Sequence, residues 1–349
     1  LGLASQIVGG KMSERPLITF ALLCFNQEQF VAEAVRSALA QDYSPLEILI
    51  SDDVSTDRTW EIVEREVANY AGPHRIRLHR NDANLSCTVH TLAALAMASA
   101  DLVVVGAGDD VSEPQRVSAI AAVAHAQPQA MSFWSDMRLI DEHGGDLGVI
   151  PGYRERSTAT AEMADRGAAP VGASQAYRKK IGSFFGPVDR RAASEDLVLH
   201  FRGALLGGVA KAPGVLLRWR RHIGSMETIN HLSDVDASTF RRKTMRVMEQ
   251  RLFCYRARID DLYELMRKCP ERSEEARRYL APTQALVARF EATLRLADGN
   301  LFQAATAMAS GLRNGARPVE VAKNFLMLRF PGLWQRYVRY RARHASLKT

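Results

Sequence analysis

Pairs of acids recur in this chain where apolar runs end. Asp52-Asp53 follows Leu46-Glu47-Ile48-Leu49-Ile50-Ser51, and Asp109-Asp110 follows Leu102-Val103-Val104-Val105 and Gly106-Ala107-Gly108. Carboxylates so placed can hold a hard cation or accept hydrogen bonds from hydroxyl and N–H groups. A third pair, Glu195-Asp196, precedes the helical-looking run Leu197-Val198-Leu199-His200-Phe201, and a basic stretch, Arg218-Trp219-Arg220-Arg221-His222, lies downstream. Each has a plain structural reading as well. Strand-end acids are often merely solvated, acids at a helix N-terminus stabilise its dipole, and a basic strand end with a solvated histidine needs no ligand.

The elements that must position these residues alternate regularly. Leu17–Phe25 reads as a strand buried on both faces, broken at Asn26. Glu28–Gln41 places Phe30, Ala34, Val35, Ala38 and Leu39 on one helical face and stops before Tyr43-Ser44-Pro45. A second strand (46–50) and a helix to about Tyr70, a third strand (75–80) and a helix from Cys87 to Ser99, and a fourth strand (101–105) follow. Such alternation predicts an α/β fold with crossover connections and a mainly parallel central sheet flanked by helices. Ligands of such sheets bind beyond the carboxyl ends of the strands, which is where Asp52-Asp53 and Asp109-Asp110 fall.

Several function classes are excluded. Gly106-Ala107-Gly108 lacks the third glycine of a dinucleotide fingerprint and follows the fourth strand instead of the first, and the sequence has neither a phosphate-binding GxxxxGK[ST] loop nor an HExxH pair. The 349 residues, with 46 Lys+Arg and 39 Asp+Glu, fit about two domains of ordinary globular composition. Four scattered cysteines without a CxxC pair point to a reduced, cytoplasmic setting, and no apolar run is long enough to span a membrane. Residues 1–15 read as a leader or cloning remnant.

Taken in order, Cys24-Phe25-Asn26-Gln27-Glu28, Ser51-Asp52-Asp53-Val54-Ser55-Thr56-Asp57, Gly108-Asp109-Asp110-Val111, Glu195-Asp196 and Arg218–His222 resemble the family-two inverting glycosyltransferases of GT-A fold. The resemblance covers about residues 16–230. It implies a nucleotide-sugar donor, most directly UDP-linked, held by Phe25, Asn26, Glu28, Asp52, Asp53, Arg80, Asp109, Arg218 and Arg221. It implies a divalent metal, Mn²⁺ or Mg²⁺, at Asp109 and His222 with Asp110 as second choice, Asp196 as general base, and Gly172, Ser174 and Glu195 on the acceptor side. The acceptor would be a bacterial-type surface glycan or glycolipid. Three departures stand out: Val54 and Ser86 occupy positions where the family commonly has glycine, and Ala107 replaces the first acid of the DxD metal motif. The last motivates an alternative, a fold that binds nucleotide sugar as a scaffold with weak or lost turnover.

Residues 231–349 lie outside the resemblance and read as a basic α-helical region with breaks near 269–270, 281–282, 298–300, 317–318 and 331–332. Residues 241–349 hold 23 basic and 10 acidic side chains, so the rest of the chain is mildly acidic. The final helix, Leu333–Arg343, mixes aromatics with arginines and either lies on an anionic membrane surface, making the protein peripheral on the inner face of the cytoplasmic membrane, or docks on the catalytic domain. The long helices from about 240 to 300 could form a homodimer interface. Nucleic acid is an unlikely partner, since no recognised binding module accompanies the basic stretch.

Overall fold

In a computed structural model, which describes residues 15–150, 160–167, 169–222, 236–299, 301–313, 318–332 and 336, the first apolar run forms strand β1, Ile18–Cys24. Its alternation divides the core: Ile18, Phe20 and Leu22 join one apolar cluster, Ala21 another. Strand β2 (Leu46–Asp52) is buried along its whole length, as expected of a strand covered on both faces. Helix α1 (Val31–Leu39) buries Val31, Ala34, Val35 and Ala38 at helical spacing, and α2 (Thr59–Val67) buries Thr59, Ile62 and Val63. Strands β3 (Arg75–Arg80) and β4 (Leu102–Ala107), helix α3 (Cys87–Met97) between them, β5 (Val111–Ser112) and α4 (Arg116–Ala126) complete the first half.

The second half adds β6 (Ser132–Ile140), β7 (Asp146–Ile150), α5 (Thr160–Arg166), β8 (Ala176–Arg178), α6 (Lys180–Phe184), α7 (Glu195–Leu206) and the twelve-residue β9 (Val209–Arg220). Among the described residues the sheet runs β3-β2-β1-β4-β8-β6-β9-β5, with β7 alongside β6. The pairs β1–β2, β2–β3 and β1–β4 are parallel, as the alternation predicts. Beyond β4 the sheet is mixed: β8 is antiparallel to both neighbours, whereas β6 and β9 are parallel. The short β5 turns back antiparallel on β9, setting Val111 opposite Arg218. That register brings the Asp109-Asp110 loop beside the end of β9.

The C-terminal region is helical, with α8 (Ala237–Lys268), α9 (Ser273–Ala297), α10 (Leu301–Arg313) and α11 (Pro318–Arg329). The break expected at Ala281-Pro282 does not occur: α9 continues through Pro282. Proline there removes one backbone donor at a cost of about 3 kcal/mol, which the buried Ala276, Thr283, Ala285 and Leu286 on the same helix offset. The other four expected breaks coincide with helix ends. Met248, Leu252, Tyr255, Leu286, Phe290 and Leu328 share one apolar cluster with Leu49, Val103, Val105, Leu197 and Val198, so these helices are packed into the same core as the sheet. The expected domain boundary near 230 and most of the segment 333–343 lie outside the described residues, as do residues 1–14. Among the described residues no helix is long and apolar enough to cross a membrane.

The bonds behind this docking are buried and ionic. Arg202 on α7 donates from Nε and Nη2 to the two carboxylate oxygens of Asp261 on α8 at 2.9 and 2.8 Å, and from Nη2 to the Gly186 carbonyl at 2.9 Å. Arg258, fully buried on α8, donates to the carbonyls of Leu197 and Met163 at 2.5 and 2.6 Å. Leu197 directly follows Asp196, so α8 grips the first turn of α7.

Candidate active site

Two loops at the carboxyl edge of the sheet are stitched together by side chains of the acid patch. Asp52, fully buried at the end of β2, accepts from the Ser55 amide at 2.9 Å, from the Ser55 hydroxyl and from Arg80 Nε at 3.1 Å. Arg80 also donates to the Ser55 carbonyl at 2.7 Å and lies over the Trp60 ring. Asp53 accepts from the Leu85 and Ser86 amides and from the Asn81 side chain, at 2.8, 3.1 and 2.8 Å, which fastens the 81–86 loop over β2. Asn26 Oδ1 accepts from the Thr56 amide at 2.8 Å, and Glu28 accepts from the Arg58 amide at 3.1 Å. Phe25, 45% exposed, is left facing outward beside them.

Val54 and Ser86, the two departures from glycine, both adopt left-handed backbone, with φ of 66° and 68°. A β-branched residue is strained there. Val54→Gly is therefore expected to raise stability by about 0.5–1 kcal/mol, the relief of left-handed strain less glycine's entropy, read as a higher denaturation midpoint at unchanged slope.

The second acidic loop meets β9. Asp109 Oδ2 and His222 Nε2 are 3.0 Å apart, with both side chains mostly buried, and the Phe30 ring packs against the imidazole at 4.6 Å between centroids. Asp110 is turned inward, its Oδ1 accepting from the Arg220 amide at 2.8 Å. Burial, and then its neighbour Asp109, push the Asp110 pKa well above the usual carboxylate range. Arg220, itself buried, donates to the Asp109 carbonyl at 3.0 Å and pairs with Glu33 of α1. Arg218 pairs with Glu113 at 3.2 Å, and the Arg221 guanidinium lies over Trp219.

Asp196 stands in the first turn of α7, half-buried, accepting from the Leu197 amide at 2.7 Å. Burial raises its pKa. The adjoining Glu195 accepts from the Cys87 thiol at 3.0 Å. The short 3-10 turn Gly172–Ser174 packs on this pair so closely that a Cβ on Gly172 would lie 1.9 Å from Glu195 Oε1. Ser174 is buried, with its hydroxyl on the Val171 carbonyl. The segment after the turn also reaches β4, where the Val105 amide donates to the Gln175 carbonyl at 3.0 Å. Buried Arg116 ties the same points together, donating to Val105 and Ala173 carbonyls at 2.7 and 3.0 Å.

Arg220, Arg116 and Arg258 were not singled out from the sequence. Arg116 opens an otherwise apolar helix, RVSAIAAVA, and a lone cation in that setting was a readable sign of a buried role. Arg220 sits between two arginines, and nothing in the sequence distinguishes it from them.

Residues 19–142 match the family model described as Glycosyl transferase family 2. A protein of Bacillus subtilis (strain 168) named as a glycosyltransferase, EpsE, is 29% identical over 133 residues, 38% of this chain and 47% of that protein. A protein of Escherichia coli (strain K12) named as a colanic acid biosynthesis glycosyl transferase, WcaA, is 31% identical over 116 residues, 33% of this chain and 40% of that protein. The chain thus spans about half the length, or less, of these relatives. Among solved structures, Staphylococcus aureus TarS (residues 1–349) in complex with UDP-GlcNAc aligns with a TM-score of 0.51 at 15% identity, over 89% of this chain and 91% of that one. The mannosyltransferase PcManGT from Pyrobaculum calidifontis, in complex with GDP-Man and Mn²⁺, aligns with a TM-score of 0.50 at 16% identity, over 94% and 85%. These structural likenesses carry the fold alone, and the sequence match is confined to the first part of the chain. Over residues 19–142 this chain thus matches the family-two glycosyltransferases, and the sheet that carries those residues is of the GT-A type seen in these solved neighbours.

Proposed function

We propose that the protein transfers a sugar from a nucleoside-diphosphate donor, UDP-linked in the first instance, to a hydroxyl of a glycan or glycolipid during bacterial surface-polysaccharide synthesis. Transfer is a single displacement with inversion at the anomeric carbon. The observation that carries this reading is the Asp109–His222 pair, 3.0 Å apart at the carboxyl edge of the sheet. The name borne by WcaA supports the pathway class, and the UDP-GlcNAc and GDP-Man complexes of TarS and PcManGT support the donor class.

The pair fits a divalent cation. A carboxylate oxygen and an imidazole nitrogen converge in a mostly buried position, a donor set that suits Mn²⁺ better than Mg²⁺. Among the described residues no third His, Cys, Asp or Glu joins them, and Ala107 has no carboxylate to offer. When bound, the ion would neutralise charge developing on the departing diphosphate. The protein's own groups do the rest. Phe25, Asp52, Asp53 and Arg80 form the nucleotide wall, which Asn26 and Glu28 brace from the neighbouring loop. Arg218 and Arg221 face the diphosphate end. Asp196 takes the acceptor's hydroxyl proton as that oxygen attacks, and Gly172, Ser174 and Glu195 shape the acceptor side.

Thermal shift with a panel of nucleotide sugars, with and without Mn²⁺, tests the donor half. Wild type should be stabilised by at least one donor, more so with Mn²⁺. Asp109→Ala should weaken that binding about 10- to 100-fold, or 1.4–2.7 kcal/mol, and remove the Mn²⁺ increment. Ala107 favours one second reading, a nucleotide-sugar-binding scaffold without turnover. Unchanged affinity in Asp109→Ala, together with absent product formation, would select that reading.

A further inference from the structure

Helix α11 carries two apolar faces. Val321 and Leu328, seven residues apart, are buried at 2% and 0% exposure. Val319, Leu326 and Phe330, spaced seven and four apart, line the opposite face and are 76%, 50% and 46% exposed. A helix packed on one side needs only one such stripe. Large apolar side chains exposed along one helix face mark an interaction surface.

Cations border the stripe. Lys323 projects from the same side of α11, and the Arg329 guanidinium lies over the Phe330 ring at 5.7 Å. Arg329 and Pro331 continue into an open groove of about 830 Å³ whose other wall is the start of α8, with Arg241, Arg242 and Arg246. Glu249 is the one carboxylate among the lining residues. Arg241 is held to the Ala297 carbonyl at 2.6 Å, whereas Arg242 and Arg246 are exposed. No carboxylate among the described residues pairs with Arg242, Arg246, Lys323 or Arg329.

We propose that the outer face of α11 and the arginine groove at the start of α8 form a docking surface for an anionic lipid bilayer. The exposed Val319, Leu326 and Phe330 enter the interfacial region, and Lys323, Arg329, Arg242 and Arg246 meet the lipid phosphates. Apolar side chains flanked by cations have the two-part complementarity that such a surface requires. A second copy of this chain would instead bring the same cations against one another. This proposal does not depend on the catalytic reading, since it concerns a different surface and its readout is not turnover.

Flotation of the full chain with vesicles tests it. Wild type should float with phosphatidylcholine vesicles containing about 30% phosphatidylglycerol and not with phosphatidylcholine alone. Raising salt to about 0.5 M should weaken the binding. Arg242→Gln with Arg246→Gln should reduce partitioning about 30-fold, and Val319→Ser with Leu326→Ser about tenfold. All four positions are solvent-exposed, and an unchanged melting profile would confirm that the variants fold. Equal flotation of wild type and both variants would overturn the proposal. So would a concentration-dependent dimer lost in the Leu326→Ser variant, or retention on single-stranded nucleic acid, if either occurs without vesicle binding.

Discussion

Asp196→Asn is expected to lower kcat about 10²–10⁴-fold, the range for a positioned general base, with donor affinity changed by less than about twofold, as for an interaction made only in the transition state. Asparagine preserves size and its carbonyl oxygen still accepts from the Leu197 amide, so the first turn of α7 should persist. What is lost is the proton acceptor. Burial raises the Asp196 pKa, which moves its affinity for a proton closer to neutral pH and makes it a better base there. The sign of the pH dependence follows. The active form is deprotonated, so kcat/KM should fall as pH drops through the raised pKa, with an acid limb above the ordinary carboxylate range. The variant should lack that limb. A wild-type profile flat down to the ordinary aspartate range would remove Asp196 from the role.

Asp261→Ala is expected to destabilise the protein by about 3–5 kcal/mol, because it leaves the Arg202 guanidinium buried without its counter-charge. Arg202 is among the largest fully buried side chains, and the bidentate contact to Asp261 joins α7 to α8. Replacing both partners by apolar residues, Arg202→Met with Asp261→Leu, should recover most of the loss. Equilibrium denaturation of the two single variants and the double variant measures this. The consequence reaches the site: Arg258, one turn before Asp261, holds the Leu197 carbonyl next to Asp196, the proposed base. Helices at the basic end of the chain thus hold the first turn of α7, which carries Asp196. Additive losses in the double variant would show that the two residues act separately.

The first half of the fold was legible because its signals are local. Apolar runs of strand length, one-sided helices and acids at strand ends placed β1 to β4 and α1 to α3 within a few residues. The Asp109–His222 encounter was legible only through family resemblance, since the two residues are more than a hundred positions apart and meet through the antiparallel β5–β9 pairing. A two-residue strand such as β5 has no periodicity to read. The buried arginines were missed for a related reason. Arg202 and Arg258 look like surface cations until packing places a carboxylate or carbonyls around them, whereas the apolar helix around Arg116 did carry a sign of burial. Pro282 misled in the opposite direction: a local breaker signal was overridden by tertiary burial along α9.

The most direct test is release of nucleoside diphosphate from a panel of nucleotide sugars in the presence of Mn²⁺, measured on wild type, Asp109→Ala and Asp196→Asn. Release from at least one donor by wild type, dependent on Mn²⁺ and strongly reduced in both variants, is the expected result. Donor binding with no release by wild type, or release that both variants sustain undiminished, would contradict catalysis at this edge of the sheet.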